Sequence, residues 1–330
     1  MFTDIPPLLS VNKLSKVFPV KHHRLGYTIG QLHAVNQVSF SIQQGTTLGL
    51  IGESGCGKTT LGRTVVRLME PTSGQIVFDG VDIAHYKSQQ MSEMRKKMQI
   101  VFQDPYAALN PRMSMYDLLH EPIKIHQLAS EKSALHQRIY QLLDYVQLPR
   151  NSLHKYPHEF SGGQRQRICI ARALAVEPMF LVFDESTSAL DVSVQAQIVN
   201  LLMDLQKELT LTYLFIAHDL KLVECIADNV AVMYLGKIVE MGPVAQVYKQ
   251  PKHPYTKALL SAVPTLTLGQ KKERIILQGD VPSPMHLPSG CHFHPRCWKA
   301  NLLCTESYPE TTEIGRQKHQ FSCYHPENHG

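Results

Sequence analysis

Gly52-Glu53-Ser54-Gly55-Cys56-Gly57-Lys58-Thr59 decides the fold. It lies between Leu48 to Ile51, a short buried-type apolar run that reads as a strand, and Thr59 to Met69. In the latter, Leu61, Val65 and Leu68 recur at helical spacing before the Pro71-Thr72-Ser73-Gly74 turn. Strand, glycine-rich loop and helix in that order match the phosphate-binding P-loop pattern. Glycines let successive backbone N–H groups turn inward on phosphates, the helix start adds its positive dipole, and Lys58 reaches the terminal phosphates. Thr59 is placed to ligate Mg²⁺, and the contact set is expected to be Gly52, Ser54, Gly55, Cys56, Gly57, Lys58, Thr59 and Thr60. A glycine turn without ligand is the alternative, which Lys58-Thr59 and the flanks disfavour.

Further along, Phe180 to Phe183 ends in Asp184-Glu185, setting two carboxylates at the C-terminal edge of a strand, where α/β proteins bind ligands. Asp184 can hold Mg²⁺ through water, and Glu185 can polarise an attacking water as general base. Alone, such a pair is as often a simple strand end; beside a P-loop the functional reading leads. Phe180 to Phe183 and Tyr213 to Ala217 are continuous apolar runs of the kind buried in parallel sheets. Residues 8 to 50 read as strands, with Val35, Val38, Phe40 and Ile42 apolar among polar neighbours. Residues 104 to 160, with helical patterns at Met115 to Leu119 and Ala134 to Val146, read as an inserted helical subdomain. Ser193 to Glu208 and Leu220 to Ala227 read as crossover helices. Val20 to Leu32 reads as a hairpin excursion whose Lys21, His22, His23 and Arg24 either stay solvated or touch phosphate or lipid.

The chain has 330 residues, 43% hydrophobic and 18% charged, which excludes a disordered or fibrous protein. Its formal charge of +5 is too mild to imply nucleic acid but suits a nucleotide or the face of a membrane protein. MFTDIPPLLSVNK has no basic segment followed by an apolar one, so a cytosolic location is expected. No apolar run approaches the ~20 residues needed to span a bilayer, so another chain would do the spanning. After Gly242, Pro251, Pro254, Pro264, Pro282, Pro284 and Pro288 punctuate a linker and small tail domain. Four of the seven cysteines, Cys291, Cys297, Cys304 and Cys323, crowd into that tail, which in a reducing compartment suggests a metal site rather than disulfides.

Phe160-Ser161-Gly162-Gly163-Gln164-Arg165-Gln166-Arg167 resembles the signature sequence of ABC ATPases. By the same resemblance, Gln103 is the Q-loop glutamine, Ser188-Ala189-Leu190-Asp191 the D-loop, and His218, 34 residues beyond Asp184, the switch histidine. Asp104-Pro105-Tyr106-Ala107-Ala108-Leu109-Asn110-Pro111-Arg112, His253 to Leu259 and Gly279 to Pro284 resemble the dipeptide/oligopeptide importer ATPases, nearest the second, dipeptide-type member of the pair. The resemblance covers about residues 8 to 325. It implies an α/β ABC-type nucleotide-binding domain over 8–250, with a mixed sheet core, an antiparallel β subdomain and a helical subdomain at about 104–160. A Cys-rich tail over 251–330 would follow. Phe18 matches the aromatic that stacks on adenine, or is a core residue of the first strand. Ser186 stands where the family usually has Pro, as does Trp298; neither removes a reacting group.

What the resemblance implies is a peripheral protein on the cytoplasmic face of the inner membrane, powering peptide import. Its partners would be a non-identical second ATPase, two transmembrane permease subunits and an extracytoplasmic binding protein. Two cassettes would close head to tail, so that ATP and Mg²⁺ on Lys58, Thr59, Gln103 and Asp184 meet Ser161, Gly162, Gly163 and Gln164 of the opposite subunit. Glu185 would activate water, His218 would touch the γ-phosphate, and Gln103 would sense Mg²⁺. A soluble ABC ATPase of DNA repair or translation would share these residues but usually carries two cassettes or a long coiled coil. A degenerate binding subunit is disfavoured by Lys58, Asp184, Glu185 and His218. The tail cysteines, with gaps of 5, 6 and 18 residues, are looser than zinc knuckles, and some of the ATPases this chain resembles bind a [4Fe–4S] cluster there. A cluster leads, zinc or no metal follows, and disulfides come last. With only Val281, Met285, Leu287, Phe293 and Trp298 as large apolar groups in 278–300, the tail is expected to need a cross-link, and His292, His294 and His319 are expected at the surface.

Overall fold

The computed structural model describes residues 6–21, 28–129, 131–263, 274–315 and 318–327. His22, His23, Arg24 and Pro264 lie outside the described residues. The chain forms two compact units, one of Met1–Ile42, Thr47–Ala84 and His218–Gly330, the other of Gln43–Thr46 and His85–Ala217.

The first unit contains an antiparallel sheet in the order Thr28–Ile42, Leu9–Lys21, Ser73–Phe78, Val81–Asp82. Leu9, Leu14, Val35 and Phe78 are buried in it. The unit's second set of strands begins with Thr47–Ile51, buried along its whole length and parallel to Asn229–Tyr234. That strand turns at Leu235-Gly236, where both residues have positive φ (42° and 80°), into antiparallel Lys237–Pro243. A tight turn of this hand suits the natural twist of a hairpin. His319–Phe321 pairs with Lys237–Pro243, and Thr312–Ile314 pairs with His319–Phe321.

The second unit has three parallel strands, Thr212–Ile216, Phe180–Asp184 and Met98–Val101, in that order. The first two are buried at every residue, and the apolar runs Phe180 to Phe183 and Tyr213 to Ile216 make up most of each. The helical expectations within 104–160 are met by Met115–Ile125, which buries Met115, Leu118, Leu119 and Ile123, and by Lys132–Tyr145, which buries Ile139, Leu142 and Leu143. Ser114 and Asp117 start the former with a reciprocal capping box. Gly162–Leu174 and Val192–Leu209 are the unit's other long helices.

Two expectations are corrected. The helix after the P-loop is Lys58–Val65 and stops short of Met69. Arg67 takes a left-handed φ of 57° and its Nε donates to Ile83 O at 2.9 Å, which turns the chain out of the helix and leaves Leu68 exposed. His292 and His319 are buried, not at the surface. His292 Nδ1 lies 3.2 Å from Leu235 O, and His319 Nε2 lies 2.7 Å from Glu240 Oε1. Glu240, itself buried, also accepts from the backbone N–H groups of Lys252 and His253 at 2.7 and 2.8 Å. A buried carboxylate needs such a full set of donors, and this one ties the end of the chain to the hairpin. Phe293 adds an apolar anchor, its ring packed 5.3 Å from that of Tyr234 and 5.4 Å from that of Tyr255. The tail thus borrows a core from the strands it covers.

Candidate nucleotide site

On the first unit, Gly52, Gly55 and Gly57 all have positive φ (154°, 78° and 107°), so the loop curls its backbone inward. At Gly57 a side chain would also run into the carbonyl of Ala34. Lys58, 4% exposed, folds over this curl, and its Nζ donates to Gly52 O at 2.8 Å and Glu53 O at 3.1 Å. The ammonium is therefore held against the loop's own carbonyls, in a glycine-rich loop of the kind whose backbone N–H groups receive phosphate oxygens. Thr59 and Thr60 open the helix beside it, Ser54 and Gly55 are exposed at the loop's tip, and Cys56 is buried with its thiol pushed up by burial. Phe18 is half-buried on the first strand opposite Leu32, with Lys16 Nζ 4.9 Å from its ring centre, so it is not a core residue. His218 is exposed and lies two residues before the helix Leu220–Ile226, which Asp219 caps by accepting from Lys221 N at 2.9 Å.

On the second unit, Asp184 ends its strand fully buried and Glu185 follows in the left-handed region, φ 49°. For a residue with a side chain that conformation is strained and is typical of functional loops. It is fixed by Glu185 N–H donating to Ile216 O at 3.0 Å and by Ser188 Oγ donating to Glu185 O at 2.8 Å. Gln103 Nε2 donates to Glu185 Oε2 at 3.3 Å, joining two of the expected catalytic residues. Ser161 caps Gly162–Leu174, accepting from Gln164 N at 3.3 Å while Gln164 Oε1 accepts from Ser161 N at 3.0 Å. Phe160 to Arg167 is thus a capping box with two glycines at a helix start. Gly163 is required by packing: a Cβ there would lie 2.5 Å from Val194 Cγ1.

The four tail cysteines line one cavity together with His294. Burial raises the thiols of Cys291, to about 11, of Cys297, and of Cys323, to about 12, and each of these three is raised further by neighbouring cysteines. Among the described residues, no three His, Cys, Asp or Glu side chains are arranged to hold a metal ion.

The sequence reading missed two contacts to the P-loop. Glu53 N–H donates to Tyr255 Oη at 2.8 Å, and Arg296 Nη1 and Nη2 donate to the Glu53 carboxylate at 2.7 and 3.1 Å. Both partners lie in stretches already singled out, His253 to Leu259 and the cysteine tail, but no local pattern links them to Glu53.

The ABC transporter family matches residues 35–188, and the oligopeptide/dipeptide transporter C-terminal region matches residues 239–304. The oligopeptide transport ATP-binding protein AppF of Bacillus subtilis is 47% identical over 96% of this chain and 97% of its own length. The dipeptide transport ATP-binding protein DppF of Haemophilus influenzae is 47% identical over 97% of each. Among solved structures, cbiO1 of Clostridium perfringens, part of the transporter complex cbiONQ, superposes with a TM-score of 0.64 at 28% identity, covering 74% of this chain and 92% of its own. A dimeric cassette in a post-hydrolysis state with ADP and phosphate shares the fold at 24% identity, TM-score 0.64, over 72% of this chain and 98% of its own. With near-complete coverage by such relatives and a P-loop built as above, the chain belongs to the ABC transporter family, as an ATP-hydrolysing subunit of the oligopeptide/dipeptide type.

Proposed function

We propose that the chain hydrolyses ATP to drive import of peptides through a membrane permease. The observation that carries this is the P-loop, curled around the Lys58 ammonium at the start of a helix. Lys58 and the backbone of Gly52, Ser54, Gly55, Cys56 and Gly57 take the phosphates, with Thr59 and Thr60 at the helix start and Phe18 against the base. Thr59, Asp184 and Gln103 would hold Mg²⁺, which would offset the charge of the phosphates. Glu185 orients and deprotonates the attacking water, and His218 meets the γ-phosphate. Ser161, Gly162, Gly163 and Gln164 act on the nucleotide of a second cassette, the helix start offering its N–H groups and dipole to the γ-phosphate. Because each site needs both cassettes, the isolated chain hydrolyses slowly. Reconstitution with a second, non-identical ATPase and two permease subunits restores the rate, and an extracytoplasmic binding protein loaded with peptide raises it further. A dilute monomer as fast as the assembled complex overturns the shared site, and a complex indifferent to peptide-loaded binding protein overturns the substrate.

The division into a cassette over 8–250, with its helical part at about 104–160, and a tail over 251–330 belongs to this reading, as does a peripheral position on the cytoplasmic face of the membrane. Among the described residues no helix is long and apolar enough to cross a bilayer.

The finer reading of the tail is a [4Fe–4S] cluster on Cys291, Cys297, Cys304 and Cys323. It is supported by the four thiols lining one cavity and by burial and mutual repulsion that a cationic centre would offset. When bound, the group would cross-link the tail. Anaerobic purification should then give about four iron and four sulfide per chain; zinc without sulfide overturns it.

A further inference from the structure

Glu53, the first variable residue of the P-loop, is held at three points. Its N–H donates to Tyr255 Oη, its carbonyl accepts from Lys58 Nζ at 3.1 Å, and its carboxylate is gripped by both terminal nitrogens of Arg296. Two of these three holds come from beyond residue 250, one of them from 243 residues away. The Arg296 side chain is 7% exposed and that of Glu53 28%, so the pair is shielded enough for its geometry to matter.

The tail fixes Arg296 in turn. It ends the short turn His294–Arg296, which is closed by His294 N–H donating to Cys291 O at 3.0 Å and Cys297 N–H donating to His294 O at 3.2 Å. Phe293, 1% exposed, pins the turn into the rings of Tyr234 and Tyr255, and Tyr255 is the same residue that holds the Glu53 amide. A loop with three left-handed glycines in six residues has little stiffness of its own. A planar, two-pronged guanidinium on its first side chain supplies a constraint that an ammonium could not reproduce.

We propose that Arg296 is a positioning residue for the nucleotide site: acting through Glu53, it holds the P-loop in its phosphate-accepting curl, so that the tail sets the affinity for ATP. This rests on the reading of the loop as the ATP site. Arg296 touches no nucleotide in this scheme, and the chemistry after binding is unaffected by it.

The test compares the full-length chain with Arg296→Ala, Arg296→Lys, Glu53→Gln and the double variant Glu53→Gln/Arg296→Ala. It measures equilibrium binding of Mg-ATP, and KM and kcat for ATP in the assembled transporter. Losing one charge-assisted pair is expected to weaken ATP binding and raise KM about five- to thirtyfold, with kcat at saturating ATP within about twofold of wild type. Arg296→Lys should fall between, and the double variant should be no worse than the more severe single one, because both remove one interaction. A tail anchor without influence on the loop would lower the melting temperature and leave ATP affinity within twofold; that result overturns the inference. So does multiplication of the two single effects. If Arg296→Ala does not fold, Glu53→Gln, nearly isosteric and on the more exposed partner, carries the same comparison. Failure of the wild-type chain to bind ATP removes the ATPase reading together with this one, whereas binding by wild type and variants alike removes this one alone.

Discussion

The Gln103 amide donates to the Glu185 carboxylate across 3.3 Å, although 82 residues separate them in the chain. Glu185 is held at a left-handed φ by the neighbouring strand while Gln103 donates to one of its oxygens. Glu185→Gln keeps an acceptor for Gln103 and the same shape but removes the basicity. ATP binding should stay within about twofold of wild type while turnover of the assembled transporter falls by a hundredfold or more, the usual contribution of a general base being about 10² to 10⁴. Nucleotide trapped in the purified complex and the steady-state rate are the readouts; a rate within a few-fold of wild type removes Glu185 from the role of base.

Gly163 is confined by Val194, whose Cγ1 is 2.5 Å from where a Cβ would stand. In a helix a valine has essentially one comfortable rotamer, so it cannot step aside. Alanine ordinarily gains about 1 kcal/mol over glycine inside a helix, and here the clash should reverse that sign. Gly163→Ala is expected to lower the melting temperature, and Gly163→Ala/Val194→Ala to recover most of the loss. An alanine variant more stable than wild type would mean that the helix start yields.

How much of this was legible beforehand follows the range of the interactions. Gly52 to Thr59 and Phe180 to Asp184 carry their structure locally, in turn chemistry and in unbroken apolar runs, and both were readable. The hairpin Asn229–Tyr234 and Lys237–Pro243 also had a signal, apolar Val230 to Tyr234 followed by Leu235-Gly236, which the reading passed over. The histidines were misread for a different reason. His292 and His319 can be buried only because Leu235 and Glu240, 57 and 79 residues away, supply partners, and no window of sequence contains both ends. The same holds for Arg296 and Glu53. The tail's poverty in aliphatic residues was read correctly, but the core that compensates for it belongs to Tyr234 and Tyr255.

Ser186, where the resembling ATPases usually have proline, is 3% exposed, and its hydroxyl has no hydrogen-bond partner among the described residues. A buried hydroxyl without a partner costs about 1 to 3 kcal/mol, so Ser186→Ala should leave stability unchanged or raise it, with ATPase activity within about twofold. A drop of several degrees in melting temperature would show that the hydroxyl is satisfied in solution.

His253 is fully buried, and its Nδ1 accepts the N–H of Tyr255 at 3.1 Å as the cap of the helix Pro254–Ser261. Burial lowers its pKa from 6.5 to about 4, against an opposing pull from the Glu240 carboxylate. Protonation would also turn the capping acceptor into a donor. The sign follows from the two states: above pH 6.5 neither folded nor unfolded chain carries this proton, whereas between 6.5 and about 4 the unfolded chain binds it and the folded one does not. Stability therefore falls as pH drops through that window and levels off below it, the loss at pH 4.5 amounting to about 2 to 3 kcal/mol from this residue. His253→Asn keeps a capping oxygen, since asparagine is among the best N-caps, and cannot titrate. It should be less stable than wild type at neutral pH, having lost the ring packed 5.7 Å from that of Phe293, yet lose less on acidification. Urea unfolding of both proteins at pH 7 and 4.5 measures the difference directly; equal acid losses in the two would mean that His253 takes up its proton in the folded state as readily as in the unfolded one.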